Sequence, residues 1–223
     1  MTTGIQSETL DFLQDLALNN DRDWFNEHKP LYRKGLEDFK AFIQGLKIQL
    51  MQFDEIERSK IFRIYRDIRF SKDKTPYKTH FSAHFVRSGK FRRGGFYFQI
   101  SPEKVFVAGG FWKPERKDLE FIRQGIAADS TELRKAINES DFKKRFGALG
   151  GEELKTAPRG YDKDHEEVDL LRKKQFVVSR EYPAKLALNP GFVEEVVADY
   201  RSMIPMFTAI TDFLLFDGNG QER

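Results

Sequence analysis

Hydrophobic and polar residues follow a helical period at both ends of the chain and a strand-like pattern in the middle. Apolar residues recur at steps of three and four after Ser7, up to about residue 19, and again after Pro30, which predicts two helices. Asp21 is placed to cap a short helix between them, because a carboxylate accepts hydrogen bonds from free N–H groups. Helical spacing returns at residues 116–127, 132–138 and 192–216, and Pro205 is expected to kink the last helix.

The middle of the chain is rich in the β-branched and aromatic residues that favour strands. The segments with this composition are FRIYRDIRF, THFSAHFV, GFYFQI, KVFVAGGF and, later, KQFVVSREY. Glycine, serine and proline separate the first four, which is typical of an antiparallel meander. Residues 147–169 are predicted to form a loop. The fold class expected is α+β: a single domain over residues 1–223, with a central, mainly antiparallel sheet packed by N-terminal and C-terminal helices.

The amino-acid composition narrows the class of protein further. The 22 phenylalanines among 223 residues predict a core rich in aromatic rings. The chain has no cysteine, which excludes disulfides, thiolate metal sites and cysteine nucleophiles. We see neither a signal-peptide pattern at the N-terminus nor an apolar run long enough for a membrane span. A cytoplasmic protein with no membrane partner is therefore expected.

Positive charge is concentrated in one stretch of the chain, although the total is only +3. Between residues 60 and 93, eleven lysines and arginines face two aspartates, an excess of nine positive charges that leaves six net negative charges on the rest. Such an excess attracts anions wherever the side chains gather. The cations are Lys60, Arg63, Arg66, Arg69, Lys72, Lys74, Lys78, Arg87, Lys90, Arg92 and Arg93.

The segment at residues 62–70 lies at the centre of this excess. If it is a strand, as its composition favours, Arg66 shares an otherwise apolar face with Ile64 and Ile68. A guanidinium there needs a carboxylate, carbonyl groups or a bound anion. In the alternative helical interpretation, Arg63 and Asp67 share one side. The segment SKDKTPYKTH that follows is predicted to be a loop.

The pattern Arg63-x-x-Arg66-Asp67-x-Arg69-Phe70-x-x-Asp73-Lys74-x-x-Tyr77 resembles that of a bacterial family of similar length, catalogued as a domain of unknown function. Relatives of that family occur inside longer fungal proteins. DFLQDLALNNDRDWFNEHK, KTPYKTHFSAHF, GGFYFQI and APRGYDKDH also resemble the family and stand in the expected order. The resemblance covers nearly the whole chain. It implies a single-domain, bacterial-type protein and carries no activity, substrate or cofactor.

The candidate site is drawn from these residues by their chemistry. The predicted ligand-binding residues are Arg63, Arg66, Arg69, Lys74, Tyr77 and Arg159. Arg159 is included because Gly160 would allow the backbone to approach a ligand. Asp67 and His80 are the candidate proton carriers. No metal site is predicted, because His80 and His84 on one strand would lie about 13 Å apart.

Three functional hypotheses follow, and the sequence names no reaction, cofactor or oligomeric state. The first is a basic pocket for a phosphorylated or other anionic small molecule, with or without catalysis. The second is a structural Arg/Asp network in a non-enzymatic interaction protein. The third is a nucleic-acid-binding module that adds Arg87, Lys90, Arg92 and Arg93 to the same surface.

Overall fold

The chain folds as an α+β protein, and the computed structural model describes residues 4–89, 94–217 and 220–222. The first helices and strands are α1 Ser7–Leu18, α2 Arg22–Glu27, α3 Lys29–Leu50, β1 Ile56–Ile61, β2 Phe81–Arg87, β3 Gly95–Ile100 and β4 Lys104–Phe111. The remainder are α4 Arg116–Ala128, α5 Thr131–Asn138, α6 Ser140–Phe146, α7 Val168–Leu171, β5 Phe176–Pro183, a 3₁₀ helix Ala184–Leu188 and α8 Phe192–Leu215.

The five strands form one antiparallel sheet in the order β1-β2-β3-β4-β5, which is also their order along the chain. The predicted α+β class with a mainly antiparallel sheet is therefore confirmed. The first strand is an error of prediction. Residues 62–70 are not a regular strand, and β1 lies directly before them in the charged segment IERSKI. Helix α6 was also not predicted.

The chain divides into two compact units. The first comprises Met1–Val86, Tyr97–Val107 and Glu181–Ala198, and the second comprises Arg87–Phe96, Ala108–Arg180 and Asp199–Arg223. In the first unit, α3 packs its phenylalanines on the sheet: the ring centroids of Phe39 and Phe81 are 5.5 Å apart, and those of Phe42 and Phe98 are 5.0 Å apart. Fully buried phenylalanine rings of this kind confirm the predicted aromatic core.

Two helix starts in the first unit depend on aspartates. Asp21 caps α2 as predicted, since its carboxylate accepts hydrogen bonds from the backbone N–H groups of Asp23 and Trp24 at 2.9 Å. Ser7 does not cap α1; the residue at the cap position is Gln6. Its backbone N–H donates to Asp38 of α3 at 2.9 Å, so a side chain from a neighbouring helix does the capping.

In the second unit, the aromatic contacts of Phe96 with α8 form the core. The Phe96 ring centroid lies 4.7 Å from that of Tyr200 and 5.1 Å from that of Phe207. Gly110 allows a close strand contact: a Cβ there would lie 2.1 Å from the Phe176 carbonyl oxygen, and its φ is +139°. Helix α8 runs past Pro205 without interruption. Within the described residues, no helix has both the length and the apolar content needed to cross a bilayer.

Candidate functional site

Residues 62–80 form an irregular hairpin between β1 and β2, called the basic hairpin below. Three backbone bonds hold its base: Phe62 N–H donates to Ser82 O at 2.9 Å, Lys78 N–H to Ile64 O at 2.8 Å, and Arg66 N–H to Pro76 O at 2.9 Å. Tyr65 and Tyr77 form a single antiparallel bridge between them. Within the hairpin, Arg63 and Arg66 lie close enough to Lys78, and Arg66 and Lys78 close enough to His80, for their charges to act on these groups.

Tyr77 fixes the hairpin to the helices of the first unit. Its ring stacks on Phe25 with centroids 4.0 Å apart and lies 5.5 Å from Tyr65. The side chain of Asn20 holds both backbone groups of Tyr77: its Oδ1 accepts the N–H at 3.1 Å and its Nδ2 donates to the carbonyl at 3.0 Å. Tyr77 is only 5% exposed, and burial raises the pKa of its phenol. Tyr77 therefore anchors the hairpin.

Arg66 forms an ion pair with a carboxylate, as expected for a guanidinium among apolar neighbours. Its Nη1 contacts both Asp73 and the Thr75 hydroxyl. The Thr75 backbone N–H, and next the Arg66 guanidinium, lower the pKa of Asp73 to about 2. Within the described residues, the Nε and Nη2 groups of Arg66 have no hydrogen bond, so this guanidinium retains donors for a further acceptor.

Three of the predicted site residues are directed at their own loop. Arg69 makes a two-pronged contact with Asp67, Nε to Oδ1 at 2.9 Å and Nη2 to Oδ2 at 2.7 Å. This contact lowers the pKa of Asp67, which is therefore ionised at neutral pH. Lys74 donates to the carbonyl of Ile68 at 2.9 Å.

Arg63, Arg66, Lys78 and His80 form what we call the cationic cluster. Burial, followed by the charges of Arg63 and Arg66, lowers the pKa of Lys78. Burial, followed by the charges of Lys78 and Arg66, lowers the pKa of His80 to about 4, so its imidazole is neutral at pH 7. Among the described residues, the hydrogen bonds and ion pairs join this cluster to a single carboxylate, that of Asp73. A local excess of positive charge attracts anions.

The other predicted residues lie apart from the hairpin in the sequence. Arg159 is an exposed residue of the second unit, and the adjacent Gly160 has a φ of +91°. Arg87, part of the nucleic-acid hypothesis, is not a surface residue: it is only 6% exposed, with its guanidinium carbon 4.7 Å from the Phe207 ring centroid. Lys90, Arg92 and Arg93 lie outside the described residues.

The site carries no obvious metal chemistry. Across residues 4–89, 94–217 and 220–222, no three histidine, aspartate or glutamate side chains come together as a metal site would require. His84 lies in β2, and burial, followed by the charges of Lys60 and Arg58, lowers its pKa. What the arrangement offers a ligand is positive charge and N–H donors.

Two important residues were not in the predicted set. Lys78 enters the cluster because its backbone pairs with Ile64. Its place in the lysine-rich segment was a visible signal, but the pairing was not. Asn20 is 57 residues from Tyr77, and nothing in the local sequence distinguishes it from a helix-terminating asparagine. Both were missed because the contacts that define them are long-range.

The fold and the basic hairpin define an α+β protein with a cation-rich segment between the first two strands. The chain belongs to the family described as conserved hypothetical protein (DUF2461), whose model matches residues 8–208. The predicted membership of a family of unknown function is thereby confirmed at the level of the family. No curated protein and no solved structure shows significant similarity to the chain.

Proposed function

We propose that the protein binds a phosphorylated or similarly multiply charged anionic small molecule at the cationic cluster. The observation that supports this proposal is the mutual influence of the hairpin's charges: Arg63 and Arg66 act on Lys78, and Lys78 and Arg66 act on His80. Only one carboxylate, Asp73, is joined to these groups by a recorded ion pair in the described part of the chain. The cluster thus has more positive groups than its own acids can neutralise.

A bound anion would stabilise this arrangement in two ways. It would offset the mutual repulsion of the cations, and it would supply acceptors for the N–H groups of Arg63 and Arg66. The lowered pKa of Lys78 is a consequence of burial and of its two arginine neighbours. An anion in the cluster favours the charged forms of Lys78 and His80, so binding raises both pKa values.

The remaining predicted residues take different places in this proposal. His80 is neutral in the unliganded protein and becomes a proton carrier near pH 7 only if the ligand raises its pKa. Asp67 is held by Arg69, and Lys74 by a carbonyl, so each would have to leave its partner to reach a ligand. We place Arg63, Arg66, Lys78 and His80 in the site and give Arg159 no role in it.

Isothermal titration calorimetry with inorganic tripolyphosphate at about 50 mM salt tests the proposal. We expect binding that weakens steeply as salt is raised, because cation–phosphate contacts are screened. Arg63→Ala and Lys78→Ala should each weaken binding at least tenfold. Lys72→Ala is the matched control, since it removes an exposed lysine of the same hairpin outside the cluster. Absence of binding by the wild-type protein, or equal losses in all three variants, would overturn the proposal.

A second candidate function, a non-enzymatic scaffold, is favoured by the ion pairs within the hairpin. Arg66 with Asp73 and Arg69 with Asp67 account for four of the charged residues in the family-like pattern. In that case Arg66→Ala destabilises the protein, while tripolyphosphate has no effect on either form. A double-mutant cycle on Arg66 and Asp73, measured with and without tripolyphosphate, separates the two functions.

A further inference from the structure

The sheet of the first unit has a face on which aromatic side chains remain partly exposed. Strand residues alternate between faces. On β2, β3 and β4, Phe81, Phe98 and Val105 are buried, whereas His84, Tyr97 and Phe106 keep intermediate exposure. Phe62, just after β1, is also partly exposed. We call Phe62, Tyr97 and Phe106 the aromatic row.

The three rings of the aromatic row follow one another across the sheet in the order Phe62, Tyr97, Phe106. The centroids of Phe62 and Tyr97 are 6.3 Å apart, and those of Tyr97 and Phe106 are 6.1 Å apart. Ser82 of β2 contacts both residues: its carbonyl accepts the Phe62 N–H, and its side chain hydrogen-bonds to Tyr97. The ring planes are inclined by 51° between Phe62 and Tyr97 and by 67° between Tyr97 and Phe106, so a flat group that stacks on one ring meets the edge of the next.

The aromatic row begins where the cationic cluster ends. The ammonium group of Lys78, a member of the cluster, lies 5.5 Å from the Phe62 ring centroid, and that of Lys60 lies 5.6 Å from it. Lys78 therefore contacts the first ring of the row while it faces Arg63 and Arg66. A ligand that carries a flat ring system as well as an anionic group can engage both features.

The Tyr97 hydroxyl already donates to Gln99 Oε1 at 2.8 Å, so this hydrogen-bonding capacity is engaged within the protein. What the row offers is ring surface, and aromatic rings on a sheet are effective stacking surfaces for nucleobases of any sequence. The charges at one end match the phosphate that accompanies the base.

We infer that the anion recognised by this protein is a nucleotide, with its base against the Tyr97 and Phe106 rings and its phosphate at the cationic cluster. This inference rests on the proposed function, because the phosphate occupies the same four residues. The base contributes a separate interaction, and the two contributions are separable by experiment.

Calorimetric titration with ATP, compared with inorganic tripolyphosphate, isolates the contribution of the base. The two ligands share a triphosphate chain, and only ATP carries a base and ribose. We expect ATP to bind at least tenfold more tightly, in line with the usual strength of base–aromatic stacking. Tyr97→Leu and Phe106→Leu should each remove most of that preference and leave the tripolyphosphate affinity unchanged.

Phe70→Leu is the matched control, since Phe70 is a 95% exposed aromatic residue of the basic hairpin and does not belong to the aromatic row. We expect it to preserve the preference for ATP. Circular dichroism and thermal unfolding check that each leucine variant is folded. If either Tyr97→Leu or Phe106→Leu fails to fold, the other variant is used for the comparison.

The outcomes distinguish the two proposals. Equal affinity for ATP and tripolyphosphate overturns the nucleotide inference and leaves the anion site standing, whereas no binding of either ligand overturns both. A preference for ATP that survives both row substitutions also overturns the inference. A comparison of a thymidylate octamer with thymidine monophosphate shows whether the base and phosphate belong to a free nucleotide or to a nucleic-acid strand. Octamer binding that is much tighter and is weakened by Tyr97→Leu assigns single-stranded nucleic acid. Equal binding of the two ligands assigns the free nucleotide.

Discussion

The arginines of the basic hairpin and those around Asp199 in the second unit have opposite surroundings. Asp199 is 0% exposed and accepts hydrogen bonds from Arg145 and Arg180, each at 2.9 Å. Arg145 also contacts Asp141 at 2.7 Å, and this contact raises its pKa. In the hairpin, burial and then the charges of Arg63 and Arg66 instead lower the pKa of Lys78.

The number of carboxylates near an arginine therefore decides whether its charge is neutralised within the protein. Around Asp199 the charges are taken up by the fold, as they are where Arg134 lies between Glu167 and Asp169. Charges that are paired and removed from water act as structural ties, and breaking one leaves an uncompensated charge. In the cationic cluster the ion pairs of the described residues supply one carboxylate, that of Asp73, and we propose that the surplus charge is available to a ligand. The predictions below test this contrast.

The largest effect is expected when Asp199 is replaced. Asp199→Asn leaves Arg145 and Arg180 without their shared buried carboxylate, and removal of one partner from such a pair costs about 3–5 kcal/mol. The free energy of unfolding in urea measures the loss. Asp67→Asn, which removes the exposed partner of Arg69, should cause no comparable change. Equal stabilities for the two variants would show that the contrast between the regions is wrong.

The next largest effect concerns pH and His80. Its folded-state pKa of about 4 lies below the unfolded value of 6.5, so between these pH values the unfolded chain binds the proton more readily. Stability is therefore complete above pH 6.5 and falls as the pH drops toward 4. We expect His80→Gln to flatten this part of the stability profile.

Nuclear magnetic resonance sharpens the same test. The His80 imidazole should titrate near pH 4 in the protein alone and at higher pH with tripolyphosphate bound, since an anion favours imidazolium. His165, whose Nδ1 accepts the Glu167 backbone N–H at 3.0 Å in the second unit, is the internal reference. An unchanged His80 titration in the presence of bound tripolyphosphate would place the anion elsewhere.

A moderate effect is expected for Asn20→Ala. Two backbone groups of Tyr77 lose their partners, and partly buried groups left without hydrogen bonds cost about 1–3 kcal/mol. Faster hydrogen exchange at the Tyr77 amide would accompany the loss, together with weaker tripolyphosphate binding as the hairpin loosens. Asn19→Ala is the neighbouring control, since in the described part of the chain its side chain hydrogen-bonds to the Asp15 carbonyl of α1 and not to Tyr77. Unchanged exchange at Tyr77 in Asn20→Ala would contradict this role for Asn20.

The smallest effect on stability is expected at Arg63, although the effect on binding there is large. No ion pair of Arg63 occurs in the described residues, so Arg63→Ala should change the unfolding free energy by no more than about 0.5 kcal/mol. Urea unfolding measures it beside the binding assay. A substantial loss of stability would mean that Arg63 is structural, as the arginines around Asp199 are.

Much of the fold was predictable because its signals are local. Helical periodicity located α3 and α8, the Asp21 cap located α2, and strand composition located β2 to β5. The strand β1 was missed because it lies at the edge of the sheet, where charged residues such as Glu57, Arg58 and Lys60 are tolerated. Strand-like composition placed the strand instead in residues 62–70, which pair only in part.

The candidate site was less predictable than the fold. The sequence located the stretch and the sign of its charge, and the pattern from Arg63 to Tyr77 led to the family that the chain belongs to. The sequence did not reveal which of the six lysines and arginines of the basic hairpin remain unneutralised, since Arg66 and Arg69 look alike in sequence. Only the tertiary structure shows that Arg69 donates two hydrogen bonds to Asp67, while Arg66 keeps N–H donors available.

By itself, the sequence determined the α+β class, the aromatic core, the family and the excess of positive charge near residues 60–93. The tertiary structure alone decided which charges are cancelled and which rings lie beside them. This is because ion pairs, and hydrogen bonds from side chains to the backbone, join residues that are far apart in the chain. Arg145 and Asp199 are separated by 54 positions and Asn20 and Tyr77 by 57, and no local pattern encodes such contacts.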